Sequence, residues 1–211
     1  MDKIFNNELS AQAYKRVRAM IISKELAPGQ KIVQDKLAET LGISRTPLRS
    51  ALQMLEGEGL IVSIPRKGVI VKEFSDIEIV EIFDCRMALE GTAVRLFTNN
   101  AGPEEISELK KIFTPFLKGD IDNSLYQKAD AKFHNTIMKG SGNGFLNRLF
   151  QQGNLLVCMD LIGLLRLPKE TLSEHIAIIE AIEKRDADLA ESLAKEHLNK
   201  TKQLILKKIN E

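Results

Sequence analysis

From about Ser75 to the C-terminus, apolar residues recur with a helical period and no stretch alternates as a strand would. This part of the chain must therefore bury its apolar faces by packing helix on helix. The breaks between periodic segments are chemically plain: Asn99-Asn100-Ala101-Gly102-Pro103, Gly119-Asp120, Gly140-Ser141-Gly142-Asn143, Leu167-Pro168 and Arg185-Asp186. They predict helices over about 76–99, 103–117, 122–140, 143–165, 169–184 and 187–209.

The residues before this point read differently. Ser10 is placed to cap a helix with Tyr14, Val17, Met20 and Ile21 on its apolar face, and Pro28-Gly29 ends that segment in a turn. A second helix is expected from about Val33 to Leu41, with Leu37, Ala38 and Leu41 on one face and Gly42 at its stop. Ser44 caps a third, in which Pro47 falls inside the first turn and Leu48, Leu52 and Leu55 form an inward stripe closed by Gly57 and Gly59. LIVSI, the turn Pro65-Arg66-Lys67-Gly68 and VIVKEF then read as a β-hairpin. The expected fold is mainly α: a winged helix-turn-helix over 1–74 and an all-helical bundle over 75–211.

Charge divides along the same line. Of a net +1, residues 1–72 hold +5 and residues 73–211 hold −4, which suits a small polyanion reader joined to a different kind of domain. No run reaches the roughly 18 apolar residues of a spanning helix. The start, with Asp2, Lys3, Asn6, Asn7 and Glu8, has no signal-peptide core, so a soluble cytoplasmic protein without membrane contact is expected. Cys85 and Cys158 lie far apart in apolar contexts and read as buried thiols in a reducing compartment.

The winged unit carries specific chemistry. Its recognition helix would enter the major groove N-terminus first, with the dipole and free N–H groups toward phosphate. Arg45 and Arg49 stand four apart on one face at that end, where a guanidinium can fork onto guanine or clamp phosphate. Ser44 and Thr46 can add phosphate or methyl contacts. Arg66 and Lys67 at the hairpin tip can reach backbone or minor groove, with Gly68 allowing close approach. Two arginines alone would more often be a solvated face; their position at the capped start of a second short helix points to DNA.

The only three histidines, His134, His175 and His197, all lie in the helical part. Asp130 and His134 are one turn apart on one helix. His175 and His197 are equidistant from the Arg185-Asp186 turn, so an antiparallel hairpin sets them side by side. An Asp and three His converging in a bundle would form a five-coordinate or octahedral metal site with open positions. The alternative is that each is an ordinary surface or hydrogen-bonded histidine.

The stretch LAETLGISRTPLRSALQMLEGEGLI, with ELAPGQKI before it and PRKGVIVKEF after, resembles the GntR family of bacterial transcription regulators over roughly residues 10–73. Ser50 stands where that family usually has Glu, and Gln34 where an acidic residue is common; both changes bear on the operator sequence. Residues 76–211 resemble the FCD effector domain of FadR-type members. The carrying features are DxxxH at Asp130–His134, SGN at Ser141–Asn143, EHxxIxxAI at Glu174–Ile182, His197-Leu198, and RxxxE at Arg86–Glu90. The resemblance implies a divalent metal (Zn, Ni, Co, Mn or Fe(II)) on Asp130, His134, His175 and His197, with a carboxylate effector approaching it. Arg86 is then a candidate clamp for that carboxylate, and an intrahelical pair with Glu90 is the competing role.

These features predict a homodimeric regulator of a pseudo-palindromic DNA operator, modulated by a small organic acid. A metal-sensing regulator is the alternative. A metal-dependent enzyme is disfavoured: there is no HExxH, no Glu three residues before any His, and no GxSxG, P-loop or GxGxxG.

Overall fold

The computed structural model describes residues 4–211; the polar start at Asp2 and Lys3 lies outside them. The chain divides into two compact units between Glu73 and Phe74.

The first unit runs α1 (Ile4–Ile22), β1 (Lys31–Ile32), α2 (Gln34–Leu41), α3 (Arg45–Gly57), β2 (Ile61–Ile64) and β3 (Gly68–Val71). α1 packs on α3, burying Val17 and Ile21 against a stripe that includes Leu48, Ala51 and Leu55, all fully inaccessible. Ser10 does not begin this helix: α1 starts at Ile4, and Ser10 is a buried residue inside it. The hairpin forms with Ile61 opposite Val71 and Ile64 opposite Gly68. Its three-residue loop needs left-handed backbone at Arg66 (φ 65°), and Gly68 follows at φ 94°. β1 adds a third strand on β3, giving the order β1-β3-β2. Two residues are too short to show alternation, so sequence periodicity gave no sign of it.

The second unit is α4 (Asp76–Asn100), α5 (Pro103–Lys111), a 3-10 turn (Thr114–Phe116), α6 (Asn123–Gly140), α7 (Gly144–Gln152), α8 (Leu155–Ile162), α9 (Pro168–Glu183) and α10 (Ala187–Asn210). Side chains close several starts: Ser75 and Glu78 form a capping box, and Asp122, Asn143 and Asp186 accept from the N–H groups of Leu125, Leu146 and Leu189. α10 packs along α4 and beside α9, and α6 lies on α4. Phe97, Phe113, Tyr126, Phe133, Phe150 and Ile182 fill the core between them.

Two expected helices are shorter than their periodicity suggests. The 103–117 segment leaves the α-helix at Lys111: Pro115 has no N–H to give the Lys111 carbonyl, and the chain tightens into the 3-10 turn. The 143–165 segment breaks at Gly153-Asn154, where Asn154 is left-handed (φ 49°), and stops again at Gly163. Cys158 is buried as expected, but Cys85 is exposed, on the solvent side of α4.

Candidate nucleic-acid interface and metal centre

In the first unit, α2 ends on a left-handed Gly42 whose N–H bonds to the Glu39 carbonyl, while Ile43 N–H reaches the Ala38 carbonyl. This crossed pair of bonds is a Schellman stop, and it turns the chain directly into α3. Ser44 occupies the N-cap position in extended backbone, yet its side chain makes no capping hydrogen bond. The first N–H groups of α3 thus take no acceptor from the Ser44 side chain, at the positive end of the helix.

Ser44, Arg45, Thr46 and Arg49 are all exposed, as are Arg66, Lys67 and Gly68 at the hairpin tip. Both arginines are held by the first turn of α2. Arg45 Nε lies 2.9 Å from an Asp35 carboxylate oxygen, and Arg49 Nε donates to Gln34 Oε1 at 3.4 Å. These partners were not among the candidates read from sequence, and no local signal marks them. Such exposed pairs contribute at most about 1 kcal/mol, so exchanging them for phosphate or a base edge costs little.

In the second unit, α6 supplies Asp130 and His134, α9 supplies His175 and α10 supplies His197. One donor atom from each lies within 4.8 Å of all the others. His175 is fully buried, His134 and His197 nearly so, and Asp130 is partly open. Asp130 Oδ1 stands 3.8 Å from His134 Nε2 and 3.4 Å from His175 Nε2. The His175 and His197 rings are 4.5 Å apart between centroids, as their equal distance from the α9–α10 turn requires.

The far side of each ring is anchored. His134 Nδ1 meets Glu90 Oε2 at 2.5 Å, His175 Nδ1 meets the Tyr126 hydroxyl at 3.1 Å, and His197 Nδ1 meets Glu174 Oε2 at 2.7 Å. The two carboxylates select the Nδ1–H tautomer of His134 and His197, which leaves Nε2 with a lone pair. Among the described residues, His134 Nε2 and His175 Nε2 are buried with no hydrogen-bond partner. A buried ring nitrogen without a partner costs free energy, and a bare lone pair such as that of His134 Nε2 is relieved when a cation meets it. Neutral imidazoles and one carboxylate are the right donors for a borderline divalent ion, so the residues present fit such an ion.

Charges around the centre are arranged to keep this state. Burial alone would raise the Glu90 pKa, but Arg86 and His134 override it and hold the carboxyl down to about 2. Burial opposes ionisation of Glu174 too, and hydrogen bonds from His197, Arg166 and Lys200 prevail, keeping it well below the usual carboxylate range. His175 is pushed well below an ordinary imidazole by burial and then by neighbouring positive charge, and burial also lowers His197. The His175 and His197 rings are therefore unprotonated at neutral pH.

Arg86 is 2% exposed and bonds Glu90 through Nε at 2.5 Å and Nη2 at 3.4 Å, so the intrahelical pair is formed. Arg86 also lines a cavity of about 50 Å³ beside the four-residue cluster, with Phe83, Asp130, His134, Arg166 and His197 among its walls. That volume admits a few waters or a ligand of a few heavy atoms. Sequence reasoning missed Glu90 as a histidine anchor, Tyr126, Glu174 and Arg166. Tyr126 could have been found, since it lies one turn before Asp130 on the same face of α6; Arg166 lies outside any periodic segment. Among the described residues, no helix is long and apolar enough to cross a membrane.

Comparison with known proteins covers both units. Residues 9–71 match the bacterial regulatory proteins of the gntR family, and residues 81–200 match the FCD domain. YdhC of Bacillus subtilis (strain 168), an uncharacterized HTH-type transcriptional regulator, is 30% identical over 200 residues, covering 89% of this chain and 87% of its own. The gluconate operon transcriptional repressor of Bacillus licheniformis is 28% identical, covering 82% of this chain and 75% of its own. The solved structure of E. coli McbR/YncC shares the fold with a TM-score of 0.73 at 22% identity, over 95% of this chain and 98% of that one. The two relatives are named as transcription regulators, and the chain belongs to the GntR family of DNA-binding transcription regulators, in the group that carries an FCD domain.

Proposed function

We propose that this regulator binds its operator under the control of a small organic acid held beside a divalent metal ion on Asp130, His134, His175 and His197. The observation that carries the reading is the pair of buried, unpartnered Nε2 atoms of His134 and His175, each backed by an anchored Nδ1. When bound, the ion would supply positive charge and open coordination positions to a carboxylate. The chain's own part is to fix the rings through Glu90, Tyr126 and Glu174 and to enclose the acid next to Arg86. A relative named for control of a gluconate operon supports an acid as the effector class.

On the DNA side, Arg45 and Arg49 read bases or clamp phosphate, assisted by Ser44 and Thr46, while Arg66, Lys67 and Gly68 meet the backbone or minor groove. Two copies of the chain address a pseudo-palindromic operator, and the acid acts by binding one arrangement of the DNA-binding units more tightly than the other. The test is fluorescence anisotropy of an operator fragment with metal-loaded and chelator-treated protein, across a panel of small carboxylic acids. Acid-dependent release that requires the metal supports the reading. Release by metal alone indicates a metal sensor, and indifference to both removes the effector role.

A further inference from the structure

β1 is two residues long and forms an edge of the wing sheet, next to β3. Its register puts Lys31 opposite Ile70 and Ile32 opposite Val69. Ile32 is buried on the inner face with Ile61 and Val71, so Lys31 stands on the outer face. That face also carries Ile70 and, two residues nearer the hairpin tip, Gly68. The lysine side chain leans diagonally toward the tip: a Cβ placed on Gly68 would stand 3.3 Å from Lys31 Cε, tighter than an ordinary contact. Gly68 therefore both takes its φ of 94° and leaves room for the lysine stem. Lys31, Arg66 and Lys67 are exposed, and no Asp or Glu occurs from Ile61 to Lys72. Among the described residues, no carboxylate pairs with any of the three. Lys31 also stands just ahead of the reading helices. Val33 is extended and Gln34 begins α2, so at most about 11 Å of chain separates Lys31 from the residue that holds Arg49.

We infer that Lys31 is a further DNA contact, binding a backbone phosphate between the groove read by α3 and the position of the hairpin tip. The inference rests on the wing reading above. With α3 in the major groove and the tip at the neighbouring backbone or minor groove, the intervening strand presents its phosphates to the segment that joins the two, and Lys31 belongs to that segment. An ammonium on a flexible stem meets phosphate as a point charge and carries no base preference. The competing role is protection of an exposed sheet edge, for which lysine is a common device. An edge of two residues is already short enough to resist pairing, and edge protection does not account for the lean toward Gly68.

The test is fluorescence anisotropy of full-length wild type, Lys31→Ala, Lys31→Glu, Lys31→Arg and Arg66→Ala over about 50–200 mM salt. Two probes are used, a duplex of mixed sequence and a duplex selected by the wild type from a randomised pool. Lys31→Ala should lower the slope of log affinity against log salt by about 0.9 for each bound copy of the chain. Its deficit against the wild type then shrinks by about 3.5-fold per copy across that salt range. The deficit is expected to be equal on the two duplexes. Lys31→Arg should restore the slope, whereas Lys31→Glu, which keeps the edge charged, should lower it further. Wild-type affinity and slope in Lys31→Ala overturn the inference, and a deficit confined to the selected duplex overturns it in favour of base reading. Full binding by Lys31→Glu assigns the residue to edge protection instead. Weakened binding by Arg66→Ala beside normal binding by Lys31→Ala removes Lys31 alone, whereas normal binding by both removes the wing reading with it.

Discussion

Stripping the divalent ion should lower the melting temperature of the helical unit by an amount that can be worked out beforehand. The four proposed ligands come from α6, α9 and α10, so the assembled site exists only when those helices are packed. A ligand that binds only the folded state stabilises it by about 2.7 kcal/mol at a free concentration of 100 Kd. Unfolding entropy of about 2.1 cal/mol/K per residue, over a unit of roughly 140 residues, amounts to about 0.3 kcal/mol/K, so the expected shift is about 9 °C. Differential scanning calorimetry of metal-loaded protein before and after chelator reads this directly, with elemental analysis on the same samples.

Acid should act in the same direction. His175 and His197 have folded pKa values depressed chiefly by burial. In the metal-free protein they stay neutral when folded but protonate on unfolding below the ordinary imidazole value of about 6.5. Their stabilising contribution is thus complete above that pH and drains away as the pH falls toward the folded values. Metal release follows the same course, because Nε2 must be unprotonated to ligate. An unchanged melting temperature after verified metal loss, or full metal occupancy in a His134/His175/His197 triple alanine variant, would refute this reasoning.

Three further outcomes are expected. Arg45→Ala and Arg49→Ala should each weaken operator binding by about 1–3 kcal/mol where the residue reads a base, and normal binding by the double variant in an anisotropy titration would remove α3 as the reading helix. Arg66→Ala or Lys67→Ala should weaken binding on all sequences and flatten the salt dependence by about one unit per lost phosphate contact. Arg86→Ala should cost about 3–5 kcal/mol by breaking a buried ion pair, and should weaken metal binding too, because Glu90 loses the cation that keeps it ionised against His134. Urea unfolding with parallel metal titration checks this, and a stable variant with undiminished metal affinity would show that Arg86 serves the cavity alone.

Much of this molecule could be read from local pattern. The turn chemistry at Gly42-Ile43-Ser44 and the Leu48, Leu52, Leu55 stripe are short-range, so the chain from α2 through the hairpin follows from its own residues. The equal spacing of His175 and His197 about one turn likewise fixed their neighbourhood before any coordinates, because an antiparallel pair of helices preserves height. Periodicity was blind where a single residue overrides it, as at Asn154 and Pro115, and where an element is as short as β1. Only the tertiary structure decided which groups orient the histidines, bringing Glu90 from α4, Tyr126 from α6 and Glu174 from α9 to the three Nδ1 atoms. It also brought Arg166 onto the oxygen that holds His197. Those choices depend on helix rotation and on the path of an irregular loop, and distances of 2.5–3.1 Å between residues far apart in sequence are set by packing that no local pattern encodes.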